Sequence, residues 1–238
     1  MAKKDYFLII DTETTQDGLV ADFGAVVVDR KGNILTQCAV MVNGIFTDMK
    51  NHPLFFTTDG SAIWDKSTVD RRYAKYNKMV ESGSRMIASV HAINRWLEKV
   101  KATYNPYLTA YNLAFDLDKC SNTEIDLTMF SKSFCLWYAA YSKWVHTRNY
   151  RAFVLENHCF NKPTKFKNMT FQTNAEVMAR FVLNQPELVD EPHTALEDVI
   201  FYELPILLKL LKNTKKEKWL NPEPYNWREC QVKNNFKV

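Results

Sequence analysis

Asp11 and Glu13 stand two residues apart in the stretch Ile-Ile-Asp-Thr-Glu-Thr-Thr, directly after an apolar run over residues 6–10. On a β-strand this spacing puts both side chains on one face, so the two carboxylates converge. Like charges at the end of an apolar strand repel strongly unless a cation neutralises them. Hard oxygen donors of this kind suit Mg²⁺ or Mn²⁺. Taken alone, Asp-x-Glu is common, and a solvated strand end is its more frequent meaning.

Two further groups have the right residue types. An apolar run over residues 108–110 leads into Tyr111-Asn112, and Phe115-Asp116 follows at what reads as a helix start. Asp116 there is either a metal ligand or an N-terminal acid interacting with the helix dipole. Downstream, Pro192-His193-Thr194-Ala195-Leu196-Glu197-Asp198 places a histidine five residues before an aspartate. On one continuous helix these two would face different ways. They meet only if His193 sits at or before the first turn and Asp198 about one turn in, a start that Pro192 and Thr194 favour. His193 is a general-base candidate because its ordinary pKa lies near neutrality; a capping histidine is the alternative. Glu197 and Asp190 are also acidic, so composition alone does not select Asp198.

Together the three groups resemble the motifs of the DEDDh exonuclease family, also called DnaQ-like. The first motif is Asp11-Thr12-Glu13-Thr14, the second runs from Asn112 to Asp116, and the third is His193, Ala195 and Asp198. The resemblance covers roughly residues 5–211 and implies an RNase H-like fold. It further implies that Asp11, Glu13, Asp116 and Asp198 hold two divalent cations, Mg²⁺ or Mn²⁺. Such a pair clamps the attacking and leaving oxygens of an in-line displacement. His193 would deprotonate the attacking water, and nucleoside 5′-monophosphates would leave a 3′ end. Thr14 is expected against the terminal nucleotide, and Asn112 orients the second motif. Phe115 is expected in the core. Two departures concern the substrate: Tyr111 stands where the family often has histidine, and Gln16-Asp17 follow the threonines where glycine is frequent.

The implied partner is single-stranded nucleic acid or a frayed duplex 3′ end, with DNA favoured over RNA by the long 49–82 segment and the basic tail. A 3′→5′ exoribonuclease is the nearest alternative, since 2′-hydroxyl contacts decide that choice. A non-catalytic nucleic-acid-binding module and a polymerase-associated proofreading partner are the alternatives of other kinds. Stand-alone members of this family occur in bacteriophages and bacteria, so a cytoplasmic setting is expected.

The elements that must position these residues can be read in outline. Residues 6–11, 21–29 and 34–42 read as strands, the last two joined by the turn Arg30-Lys31-Gly32-Asn33. Met86, Val90, Ile93, Leu97 and Val100 recur at helical spacing behind Ser84. Residues 107–111 form a short strand, and helices are expected over 134–145, 175–183 and from His193 or Thr194 towards Leu211. Pro205 should kink or restart the last one. The predicted fold is α/β, a central mixed five-stranded sheet opened by three antiparallel strands and flanked by helices. Segments 49–82 and 147–171 are weakly periodic and read as irregular insertions in a domain over residues 1–212. Residues 213–238 read as a basic aromatic tail.

Composition agrees with this class. The chain has 238 residues, 46% hydrophobic and 24% charged, ordinary for a globular domain. No apolar run would span a bilayer, and Met-Ala-Lys-Lys-Asp leads straight into a strand, so neither a signal peptide nor a membrane role is expected. Five scattered cysteines without a CxxC pair read as reduced thiols. Residues 212–238 carry seven Lys/Arg against three Asp/Glu, which accounts for the whole formal charge of +4. Basic and aromatic residues alternate over residues 71–78, a surface that suits single strands or simply a solvated helix. Lys162, Lys165 and Lys167 form a second basic stretch. The aromatic stripe over residues 134–144 reads as core.

Overall fold

The computed structural model describes residues 4–55, 66–163, 169–189 and 192–235. Lys165, Lys167 and Asp190 lie outside the described residues. Six strands form one mixed sheet in the order β4-β3-β2-β1-β5-β6. β1 (Tyr6–Thr14), β2 (Val20–Asp29) and β3 (Ile34–Val42) are successive antiparallel neighbours. β4 (Met86–Ala88), β5 (Tyr107–Ala110) and β6 (Ser133–Cys135) each add in parallel. The α/β architecture is therefore as expected, with one strand more than the five predicted. The extra pairing explains two shifted boundaries. Residues 86–88 join the edge of β3, so the helix expected behind Ser84 begins later, capped by Ser89 whose side chain accepts the Ala92 N–H. Residues 133–135 join β5, which delays the next helix to Leu136.

Both sheet faces are covered, as parallel pairing demands. Along β1, Leu8 and Ile10 enter one core and Phe7 and Ile9 the other. The first core is closed by α2 (Val90–Tyr104) through Ile93, Leu97 and Val100, and by α3 (Leu113–Asn122) through Leu113 and Cys120. The second lies beneath α4 (Leu136–Ala140), α5 (Arg148–Glu156), α6 (Ala175–Leu183), α7 (Ala195–Asp198) and α8 (Leu204–Asn213). By the same alternation Asp11 and Glu13 belong to the face that carries α7.

Two polar helices stand where irregular chain was expected. Within 49–82, α1 (Lys66–Glu81) packs Val69 and Tyr76 against Met41 and Phe46. Within 147–171, α5 is capped by Thr147, which accepts the Tyr150 N–H. α1 has only a weak apolar stripe and is stabilised mainly by what it packs on, whereas α5 buries a short one, Tyr150 and Val154 with Phe153 beside them. From α9 (Lys216–Leu220), in the stretch read as a tail, Trp219 is fully buried against Phe7, Tyr107 and Phe134. No described helix is long and apolar enough to cross a membrane. All five cysteines are free.

One contact sets how closely α7 approaches the sheet. Gly24 lies opposite Asp11 in the β1–β2 ladder, and a Cβ built on it would stand 2.3 Å from the backbone carbonyl carbon of Ala195. Only glycine leaves room for the start of α7 to press onto β2 at that point. Backbone cannot yield as a flexible side chain would. Gly24→Ala is therefore expected to lose at least about 1–3 kcal/mol of stability, the usual cost of overpacking. A urea melt superimposable on the wild type would contradict this packing.

Candidate active site

The pleat of β1 brings Asp11 and Glu13 to one face, and a bulge between Glu13 and Thr14 ends the regular ladder there. Asp116 reaches the site from the first turn of α3, where it is buried and accepts the Thr12 hydroxyl at 2.9 Å. Asp198, also buried, comes from the last residue of α7. Ligand atoms of Glu13, His193 and Asp198 lie within 4.8 Å of one another. The sequence-predicted acids and the histidine are thus brought together.

Electrostatics show how tightly. Burial pushes the Asp11 carboxyl well above the ordinary range, and Asp116, Glu203, Glu13 and Asp198 each push it further. Burial likewise raises Asp116 to about 8, against the lowering effect of the Thr12 hydroxyl. Glu13 is raised by burial too, but the Arg72 guanidinium 2.7 Å away offsets part of that. Asp11 is harder to ionise because four acidic neighbours are present, and Asp116 because Glu13 is. A hard divalent cation is the group this donor set fits: oxygen ligands from three segments with excess negative charge.

His193 occupies the position that five-residue spacing requires. It precedes Thr194, the N-cap of α7, and takes the left-handed backbone conformation at φ 52°. That conformation is uncommon for a residue with a side chain, so its surroundings must hold it. They do: the His193 carbonyl accepts from Arg72 Nη2 at 3.2 Å and from the Tyr76 hydroxyl at 3.1 Å. Lys75 Nζ donates to the Pro192 carbonyl at 3.2 Å. The alternating basic and aromatic residues of α1 are therefore part of the site: Arg72 and Tyr76 are buried in it.

A second set of charges fixes α7. Asp22, opposite Glu13 on β2, accepts the Ala195 N–H at 3.0 Å and the Arg85 Nε at 3.3 Å. Arg85, almost wholly buried, also grips Glu197 through its two terminal nitrogens, Nη1 and Nη2. Burial raises Asp22, while Arg85 and the Ala195 N–H hold it down. Arg85 thereby lowers the Glu197 carboxyl against the effect of burial. The sequence leaves Glu197 and Asp198 as equals; the helix turns one to Arg85 and the other to the site.

Glu203 is a member that sequence spacing did not reveal. On an α-helix, a residue five beyond Asp198 is rotated by about 140°. Here a π-helical turn spans Val199–Glu203, closed by the Leu204 N–H on the Val199 carbonyl, and the wider winding brings Glu203 round towards the face of Asp198. Pro205, which lacks an N–H, sits in the first turn of α8, so the restart expected there takes this form. Glu203 is buried, accepts the Tyr111 N–H at 3.1 Å, and lines a cavity with Asp11. The signal in the sequence was the proline, two residues beyond an acid.

Two cavities flank the carboxylates and share no lining residue. One, of about 310 Å³, is lined by Glu13, Thr14, Phe55, Arg72, Phe115 and Lys119 among others. Thr14 is thus at its wall. Phe115, expected in the core, is 42% exposed, with Lys119 Nζ 5.3 Å above its ring. It neighbours Asp116 on the helix, so pointing the acid inward turns the ring outward. The other cavity, of about 410 Å³, is lined by Asp11, Tyr111, Asn112, Trp137 and Glu203 among others. Asn112 adopts φ 77° at the start of α3.

The raised carboxyls make stability depend on pH in a definite sense. A carboxyl raised on folding contributes stability that is fully present below the unfolded value near 4 and is lost as pH climbs through its folded value, about 8 for Asp116. Carboxyls lowered on folding, such as Asp29 and Asp126, act oppositely and only at lower pH. In chelator, the protein should lose on the order of a few kcal/mol between pH 5 and pH 8.5. Mg²⁺ or Mn²⁺ should restore it at pH 8.5; a flat profile in urea unfolding would contradict the burial of these acids. Arg85→Met is expected to cost about 3–5 kcal/mol by leaving Asp22 buried without its cation. Unchanged thermal unfolding in that variant would show that Arg85 does not anchor α7.

The chain matches no protein-family model and no curated protein, so the meaning of this site rests on its geometry.

Proposed function

We propose that the protein is a metal-dependent 3′→5′ exonuclease of RNase H-like fold that removes nucleoside 5′-monophosphates from DNA ends. The observation that supports it most is the convergence of Asp11, Glu13, Asp116 and Asp198 with His193 at one end of the central strands. A non-catalytic binding surface has no use for a carboxylate such as Asp11, whose ionisation four neighbouring acids disfavour. Phosphodiester hydrolysis does, once cations are held there. Asp11, Glu13, Asp116 and Asp198 would hold Mg²⁺ or Mn²⁺, which supply charge neutralisation at the attacking and leaving oxygens.

The remaining roles belong to the chain itself. His193, kept beside Glu13 and Asp198 by the grip of Arg72 and Tyr76 on its carbonyl, takes the proton of the attacking water. The cavity beside Glu13 receives the terminal nucleotide: Phe115 offers a ring face and Lys119 a positive charge at its rim. Its volume of about 310 Å³ admits one nucleotide rather than a duplex end. A further groove, lined by Arg71, Lys75 and Lys78 on α1, gives the phosphate backbone a basic track.

Purified protein with Mg²⁺ and 5′-labelled single-stranded DNA should yield a ladder shortening from the 3′ end. His193→Ala should slow it by roughly 10²–10⁴-fold. Asp11→Ala should abolish it, with both variants still folded by circular dichroism. Matched RNA and duplex arms fix the sugar and strand preference. Wild-type cleavage by both variants, or no cleavage of any arm by the wild type, would refute the proposal.

A further inference from the structure

A cavity of about 530 Å³ lies between the π-helical turn that follows α4 (Tyr141–Val145) and the chain running from the end of α8 through α9. Lys143 comes to its lining from the first, and Thr214, Lys215, Lys218 and Asn221 from the second. Two anchors fix these pieces against each other. Trp219 ties α9 into the core. Ser142 Oγ accepts the Glu223 N–H at 3.1 Å and donates to the Glu223 carbonyl at 3.3 Å. The cavity shares no lining residue with either of those beside the carboxylates. α8 separates the two places: Leu204 follows Glu203, Asn213 borders this cavity, and ten helical residues span about 15 Å.

Charge sets this cavity apart. Lys216, on the same short helix, is ion-paired with Asp5 at 3.0 Å. Lys143, Lys215 and Lys218 have no acidic partner among the described residues, and Glu223 is the one acid of the lining. A lone solvated lysine needs no partner, but three that border one cavity repel one another until an anion sits among them. The negative end of α8 accounts for a lysine in the residues just after it, yet not for Lys143, which a different helix supplies. Thr214 Oγ1, at the cavity wall, is buried without a hydrogen-bond partner. Among the described residues no aromatic ring lines the space, so a base has nothing to stack on. Nor is an arginine there to fork a carboxylate, whereas lysine binds phosphate as a point charge. The volume lies in the range of small-molecule sites and leaves room for linked phosphates.

We propose that this cavity binds a run of phosphate groups, with Lys143, Lys215 and Lys218 as its cations and Thr214 as a hydroxyl donor. Two sources carry that chemistry: the backbone of a nucleic-acid strand, and a free nucleotide or polyphosphate. The proposal uses nothing at the carboxylates, so it stands or falls apart from the exonuclease reading. It also gives the C-terminal stretch a purpose, since residues 212–238 carry the whole formal charge of the chain. A strand held here would be gripped well away from the carboxylates, and a short strand lying over the carboxylates would not reach.

Titration calorimetry with inorganic tripolyphosphate in metal-free buffer reads the site directly. Wild-type protein should bind it saturably. Lys143→Ala combined with Lys218→Ala, folded by circular dichroism, should bind roughly 10- to 100-fold more weakly. If that variant does not fold, Lys215→Ala with Lys218→Ala, both at exposed positions, carries the same expectation. Lys50→Ala with Lys99→Ala removes the same charge from exposed positions elsewhere and should bind as the wild type does. Single-stranded DNA of about 4 and about 24 nucleotides, added without metal, then separates the sources. If the backbone is the ligand, the first variant loses affinity for the long strand alone, and its salt dependence is shallower by about one ion per lysine. If a free phosphate compound is the ligand, both strands bind that variant as they bind the wild type, and only tripolyphosphate is lost. Absence of saturable tripolyphosphate binding in the wild type, no loss in the first variant, or an equal loss in the Lys50/Lys99 control overturns the site.

Discussion

Mutual repulsion among carboxylates withdrawn from water is the constraint around which this chain is arranged. Asp11 is opposed by Asp116, Glu203, Glu13 and Asp198 at once, on top of the cost of its own burial. No packing of apolar groups relieves such a cluster, and it persists only because the surrounding fold over-determines each member. β1 carries two of the acids, with β2 and β5 as its hydrogen-bonded neighbours. α3 and α7 deliver Asp116 and Asp198 from opposite faces, each with a first turn anchored by polar contacts to the sheet, and the π turn after α7 delivers Glu203.

The anchoring is itself electrostatic. Two arginines divide the work. Arg72 meets Glu13 and the backbone of His193, linking α1 to both halves of the site. Arg85 meets Asp22 and Glu197, linking β2 to α7. Both are nearly inaccessible to water, where an ion pair stabilises little in net terms but where removing one partner is severe. Specific placement is what they contribute. Gly24 completes the device by letting backbone approach backbone where a side chain would intervene.

Much of this was legible in the sequence, and what was not has identifiable causes. The opening strands and Asp11–Glu13 were readable because continuous apolar runs and turn residues are local signals. α6 matched its predicted span, since Asn174 is a cap and its apolar residues repeat at helical spacing. α1 was missed because its face is too polar to register, and α5 because its stripe of Tyr150, Phe153 and Val154 is short and set among polar residues. Phe115 was placed in the core by its residue type, but its neighbour Asp116 had the stronger claim on the interior. Trp137 lies in an aromatic stripe that is otherwise mostly core, and only the tertiary fold sets it beside Asp11. Glu203 depends on a π turn, and Arg72 and Arg85 on partners scores of residues away. Long-range charge pairing leaves no period to read.

The central claim is that these carboxylates exist to hold divalent cations. Isothermal titration of Mg²⁺ or Mn²⁺ into the protein at pH 7.5, repeated in buffers of different ionisation enthalpy, tests it without reference to any substrate. Saturable binding accompanied by proton release is expected, since burial holds the Asp11 and Asp116 carboxyls above the ordinary range until a cation displaces their protons. Asp11→Asn should weaken that binding sharply and reduce the protons released. Absence of binding in the wild type, or binding equally tight in Asp11→Asn, would contradict it.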